Sequence, residues 1–351
     1  MNNTKDNKRI EWVDMLKGVA IICVIMGHRT YGDHGFLSKY LCAEIYSFHI
    51  PLFFFLSGIV FSINKYKSFK VFFIKKVKTI LVPMICFSVA HILFNFVYYG
   101  QIVGIKKYDV SYLINRLVGI ILQLRNGKQE SILWFLPCLF ISELLLYFII
   151  KYTNNKTTLI LICIFISFIV GMSYIGLKLP RLPWEIECAL IALFFVGLGY
   201  LLKKIKSINK KANRIILLPI LIALNVITMY LNYIFMKNNS VDLAYDKIGM
   251  PLWYLIESVT GIWALVIIFS RMRKLKPLSY IGRNSLVYYC LLDLMVFIPD
   301  IIIFNILHIN LRNFGDWSVI INIVYTAIVC VSIVPVNELI SRKLKFLKGQ
   351  F

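Results

Sequence analysis

Residues 14–28, DMLKGVAIICVIMGH, place Asp14, Lys17 and His28 in a segment otherwise apolar enough to cross a membrane. The uncharged run between Lys17 and His28 is only ten residues long, whereas a bilayer takes about 20. Extending the helix to 12–30 supplies the length and brings all three ionisable groups into it. Such groups are costly in lipid and normally face a bundle interior or a wet cavity. Lys17 and His28 stand three helical turns apart, on nearly the same side, roughly 16 Å from each other along the axis. Asp14 lies one turn before Lys17 on that face. The stripe therefore carries a carboxylate and an ammonium near one end and an imidazole near the other. That shape suits a long, thin substrate with a charged head and a reactive tip.

The surrounding chain supports a membrane setting. Of its 351 residues 59% are hydrophobic, and the mean hydropathy is +0.76; a soluble domain lies nearer 45–50% apolar, by about. The basic start followed by an apolar run has the outline of a secretory leader. No small-x-small cleavage pattern follows it, and the run ends in Gly27-His28-Arg29, so a retained helix is expected. A net charge of +22 raises the question of a nucleic-acid partner. The basic residues cluster on alternate loops instead, which argues against one. The eight cysteines are widely spaced and show no CxxC or Cys/His metal pattern. They read as small apolar residues, and no metal is expected.

Ten apolar segments are visible, at approximately 12–30, 48–63, 79–99, 131–150, 157–175, 186–202, 213–236, 250–270, 281–304 and 317–340. No repeat of 20–50 residues and no soluble linker interrupts them. The expectation is one membrane domain over 1–351: an all-α integral membrane protein, a bundle of about ten transmembrane helices. With the N-terminus inside, the inner stretches hold about twice as many Lys and Arg as the outer ones, which puts both termini in the cytoplasm. A multi-pass location in the cell (cytoplasmic) membrane follows. Lys17 then lies near the cytoplasmic face and His28 near the opposite face.

Several further residues are site candidates. The second segment opens FHIPLFFFLSG, bringing His49 to the same outer level as His28; it is either a polar anchor at the interface or part of the site. The inner stretch NKYKSFKVFFIKKVK (64–78) reads as an interfacial helix with snorkelling lysines, as a phosphate patch built on Lys76 and Lys78, or both. Residues 113, 117, 120, 121 and 124 keep a helical apolar period inside the long outer loop 100–130 and predict a short surface helix. Glu143 stands inside an apolar run, as a substrate contact or the partner of a buried base. Trp134 and Trp184 fit either an aromatic belt or substrate stacking. Arg283, in YIGRNSL, is at the inner side and suits an anion site.

The ordered set RIEWVDMLKGVAIICVIMGH, FHIPLFFFLSG, KKVKTILVP, WFLPCLF, PWEIECALIALFFVGLGYLL and YIGRNSL resembles the membrane acyltransferase 3 family, with its fucose 4-O-acetylase-like branch the nearest in pattern. The resemblance runs from about residue 9 to residue 292. It implies a ten-helix enzyme moving an acyl group, usually acetyl from acetyl-CoA, to a hydroxyl of an extracytoplasmic glycan. That acceptor is a surface polysaccharide or its lipid-linked precursor. The family's Arg-x10-His pattern falls on Lys17 and His28; lysine keeps the charge and loses the bidentate fork. Lys76-x-Lys78 stands where many members have Arg-x-Arg. Where relatives often show a histidine after Asn284-Ser285-Leu286, this chain has Leu292-Asp293, and no catalytic role is assigned there.

Under that resemblance, acetyl-CoA phosphates would lie near Lys17, Lys76, Lys78 and Arg283, and the pantetheine arm would follow the first helix toward His28. His28 would act as general base on the sugar hydroxyl or carry the acetyl group transiently. Asp14 would hold Lys17, and His49 would orient His28 or bind the acceptor, with Glu143, Trp134 and Trp184 as substrate contacts. Two other classes fit ten helices with buried charges: a secondary transporter or glycan flippase, and a non-catalytic membrane subunit of a polysaccharide synthesis machine. A transporter would more typically show two related, Gly/Pro-interrupted halves, and no such symmetry is visible.

Overall fold

The first apolar stretch folds as predicted into one helix, α1 (Glu11–Thr30), in a computed structural model that describes residues 10–30, 35–124, 133–204, 215–309 and 314–350. It is followed by α2 (Phe36–Val60), α3 (Phe69–Ile102, running through two π-helical stretches), α4 (Val110–Leu122), α5 (Phe135–Tyr152), α6 (Thr157–Gly176) and α7 (Ile186–Lys204). Then come α8 (Leu218–Phe235), α9 (Pro251–Phe269), α10 (Lys276–Arg283), α11 (Ser285–Met295) and α12 (Ser318–Lys343). Among the described residues there is no strand, and nine helices are long and apolar enough to span a membrane. α1 is not one of those nine. It has 20 residues, and Glu11, Asp14 and Lys17 make it too polar to face lipid. It is accommodated inside the bundle, where Val13, Leu16, Ala20, Ile21, Val24 and Ile25 are buried.

Layering follows the same logic. In the apolar window of α7, 83% of residues are buried, against 22% for α8, so α7 is central and α8 peripheral. α2 and α7 approach closely because each supplies a glycine to the contact. A Cβ on Gly58 would run into the Val196 carbonyl, and one on Gly199 into the Phe55 carbonyl. α1 and α10 repeat the device: a Cβ on Gly18 would meet the Leu278 carbonyl, and one on Gly282 the Asp14 carbonyl. In lipid there is little hydrophobic gain from helix association, so backbone proximity of this kind supplies the dispersion contacts that hold helices together.

Three boundaries differ from the sequence reading. The second helix starts at Phe36 rather than near residue 48. Its first turns carry Lys39 and Glu44, which hide the helix from a hydropathy count. Tyr40 stacks there on Tyr230 of α8 at 5.9 Å between ring centroids and packs at a tilt on Tyr233 at 5.3 Å. The third helix reaches back to Phe69, because Phe69 and Phe72 pack on Tyr147 of α5 (5.4 and 4.6 Å) and join the interfacial stretch to the span. The expected segment 281–304 is broken at Asn284, whose N–H caps α10 and whose carbonyl accepts from Tyr288 in α11. All eight cysteines are free.

Candidate functional site

Two cavities lie along α1. The larger, about 530 Å³, is lined by His28 and Val24 of α1, by Tyr46, His49 and Ile50 of α2, and by Trp134 just before α5. Tyr254 of α9, Tyr289 and Asp293 of α11, Arg116 of α4, and the segment Val241–Tyr245 with Lys247 complete its wall. The smaller, about 180 Å³, is lined by Lys17, Val24, Ile50, Phe53, Ser57, Thr79, Ile80, Ser285 and Tyr289, among others. Val24, Ile50 and Tyr289 line both. Lys17 and His28, which the sequence sets on one stripe, thus line two adjoining cavities that have three wall side chains in common.

The imidazoles are set differently. His28, at the end of α1, is exposed within the larger cavity. His49 is 4% exposed, and its Nδ1–H donates to the Ile45 carbonyl at 2.7 Å. Because a carbonyl only accepts, Nδ1 carries the hydrogen and Nε2 keeps the lone pair when the ring is neutral. The ring edge packs on Tyr46, 4.9 Å between centroids. A third histidine, His91, is also buried, and its Nε2–H donates to the Cys290 carbonyl at 2.6 Å. It ties α3 to the helix that carries Tyr289 and Asp293.

Around the Lys17 cavity the candidates separate. Asp14 pairs with Arg283, Oδ2 to Nε 3.0 Å, so α10 is the element that meets the carboxylate. Lys76 is engaged by Glu143 at 2.7 Å, with its ammonium over Phe61 and Phe72 at 5.6 and 5.8 Å from their centroids. Of the two roles open to Glu143, the structure shows the partner of a base. Lys78 is exposed and adjoins Thr79, a lining residue. Trp134 lines the His28 cavity, while Glu143 and Trp184 are not among the residues lining either one. Trp184 instead packs on Phe140 at 6.3 Å, and its N–H donates to the Gln123 carbonyl.

Sequence reading passed over one cation here. Lys348 donates from Nζ to Asn284 Oδ1 (2.6 Å) and Ser341 Oγ (2.7 Å), next to Ser285 in the cavity wall. Burial lowers its pKa below the ordinary lysine range, with Glu338 opposing the shift. Hydropathy gives such a residue no prominence, since it sits in a short polar tail.

The guanidinium of Arg181 is a main tie of the segment 241–248, beside the Asn232 amide, which donates to the Ile248 carbonyl at 3.0 Å. Arg181 Nε pairs with Asp246 (2.9 Å), Nη2 donates to the Ala244 carbonyl (3.0 Å), and Nη1 meets Glu187 (3.4 Å) and Glu185 (3.7 Å). Burial opposes the charge on Arg181. Asp246, Cys188, Glu185 and Glu187 outweigh it and hold the pKa above the ordinary arginine value. Trp184 and Glu185 adopt left-handed backbone at φ 62° and 55°, strain tolerated where surrounding contacts over-determine the conformation. Glu185, Glu187 and Cys188 gather their ligand-type atoms within 4.8 Å; the cation that meets the two glutamates is Arg181. Asp242 closes the segment by accepting from the Ala244 N–H at 3.0 Å.

The larger cavity therefore combines two imidazoles, two carboxylates, two cations and several aromatic faces, a lining able to hold polar hydroxyls and to accept a proton from one. Comparison with known sequences bears on that chemistry. The sequence model of the acyltransferase domain family matches residues 10–342, which takes in α1 and all the helices that line the two cavities. No curated protein and no solved structure matches the chain.

Proposed function

The chain belongs to the acyltransferase 3 family, and from that premise we propose that this multi-pass membrane acyltransferase is an O-acetyltransferase of the cell membrane. In this reading it takes acetyl from cytoplasmic acetyl-CoA and places it on a hydroxyl of an extracytoplasmic glycan. The observation that carries the reading is the pair of adjoining cavities, with Lys17 in one, His28 in the other and Val24, Ile50 and Tyr289 lining both; this reading takes those three side chains as the neck between them. Lys17, with Lys78, Arg283 and Lys348 nearby, would attract the phosphates of the donor at the inner end. The thioester would pass the neck to meet His28, roughly 16 Å along α1.

There His28 takes the proton from the acceptor hydroxyl as its oxygen attacks the thioester carbonyl. The C–S bond breaks, the new ester C–O bond forms, and the CoA thiolate takes up a proton as it leaves. The same imidazole could instead attack first and hold the acetyl group before the hydroxyl receives it. His49 and Asp293 face the same cavity and are placed to bind or orient the acceptor. The test is His28→Ala in membranes supplied with labelled acetyl-CoA. A loss of glycan acetylation by at least about 10²-fold is expected from removal of a general base. Wild-type labelling at normal protein levels would refute the assignment.

A further inference from the structure

The His28 cavity is bounded by an element of unusual character. α4 is 13 residues long, too short to cross a bilayer. Val110, Ile114, Leu117, Val118 and Ile121 recur on one face of it, and all are exposed, Val110 to 60% and Ile121 to 72%. Lys106 and Lys107 precede it. A short helix with an apolar face and flanking lysines lies in the membrane interface. It is also well anchored. Asp109 caps it by accepting from the Tyr112 N–H at 2.8 Å, Asn95 of α3 donates to the Tyr112 hydroxyl at 3.0 Å, and Gln123 at its end accepts from the Trp184 N–H at 3.1 Å.

The same helix sends Arg116 into the wall of the His28 cavity, with the guanidinium 5.6 Å from the centroid of Tyr112. The second cation of that wall, Lys247, comes from the Arg181-held segment. Both cations thus arise from connecting segments outside the nine candidate spans. Two aspartates share the cavity wall: Asp293 on α11, which also carries Tyr289, and Asp242, whose carboxylate accepts from the Ala244 N–H. One wall of the cavity is therefore faced outside with exposed hydrocarbon and carries a guanidinium inside. That combination matches a ligand having a hydrocarbon tail joined to a phosphate.

We propose that the acceptor is a sugar carried on a lipid through a phosphate ester, entering sideways past α4, with its phosphate met by Arg116 and Lys247. Its sugar then lies against His28, His49 and Asp293. This rests on the acetyltransferase reading and selects the lipid-linked class of acceptor over a soluble glycan.

Binding can be read without turnover by thermal unfolding of the purified protein in detergent with farnesyl phosphate as probe. Farnesyl phosphate is expected to raise the unfolding temperature with concentration. Farnesol, glucose 1-phosphate and phosphatidylglycerol at the same concentrations are expected to leave it in place. Arg116→Ala should weaken the apparent affinity about tenfold or more, the worth of one charged hydrogen bond, and Lys247→Ala, at an exposed residue, should weaken it in the same direction. An equal shift with glucose 1-phosphate, or with phosphatidylglycerol, would overturn the proposal, as would unchanged affinity in both variants. Acetylation of a soluble glycan without farnesyl phosphate binding would sink this inference alone. Farnesyl phosphate binding with no CoA release from acetyl-CoA under any acceptor would sink the transferase reading alone.

Discussion

Lys76 and Glu143 show how one contact changes the meaning of two residues. Each alone is a site candidate, a cation suited to phosphate and an acid inside a span. Together, at 2.7 Å and with side chains 16% and 5% exposed, they neutralise one another in a setting where an uncompensated charge is expensive. Glu143→Leu and Lys76→Met are each expected to cost about 3–5 kcal/mol, while the double variant recovers most of that loss; unfolding in detergent measures all three. Additive losses would show that the pair is not what stabilises the fold. The double variant also isolates any donor contact, because a stable Lys76→Met/Glu143→Leu protein with a raised KM for acetyl-CoA would give Lys76 a place in phosphate binding. Asp14 and Arg283 are a more exposed pair, at 15% and 36%, and an ion pair so placed contributes about 0–1 kcal/mol. Its consequence is geometric: it registers α10 against the lower turns of α1.

At the scale of elements, the bundle depends on where backbone can touch backbone. Gly58 and Gly199 seat α2 against α7, and Gly18 and Gly282 seat α1 against α10. Gly199→Val forces these helices apart and is expected to cost about 1–3 kcal/mol or more through overpacking, with a matching fall in folded yield. Gly176, at the end of α6, meets nothing within 4 Å of an added Cβ. Gly176→Ala should stay within about 0.5 kcal/mol of the parent, as surface substitutions do. Fluorescence-detected size exclusion of the two variants compares them directly, and equal monodispersity would refute the account of the α2–α7 contact. The short helix α4 was legible from its apolar period, since that period needs only local spacing. That it carries Arg116 into the cavity was not, because nothing within 110–122 records what the helix packs beside.

For the whole molecule, the decisive feature is that α1 and α11 run past both cavities. Lys17, Val24 and His28 line them on α1; Ser285, Tyr289 and Asp293 line them on α11. If acyl groups pass the neck, narrowing it must stop transfer without harming the donor end. Val24→Phe is expected to lower kcat for acetylation by about 10²-fold, the effect of misplacing reacting groups by an ångström. The KM for acetyl-CoA should stay within a few-fold. Steady-state kinetics over a range of acetyl-CoA decides this, and undiminished kcat would place the route elsewhere.

The amino-acid sequence alone determined the membrane class, the helical bundle and the Lys17–His28 stripe, because hydropathy and a 3.6-residue period are properties of neighbours along a chain. It also carried the family pattern now supported over residues 10–342. What only the tertiary structure decided is which residues from distant segments share a space. Asp293 joins His28 and His49, Lys348 reaches Asn284, Arg181 fastens the Val241–Ile248 segment, and Glu143 turns to Lys76. Such convergence arises when helices pack, bringing together groups such as Lys76 and Glu143 or Arg181 and Asp246 that stand more than sixty residues apart, and no local spacing encodes it.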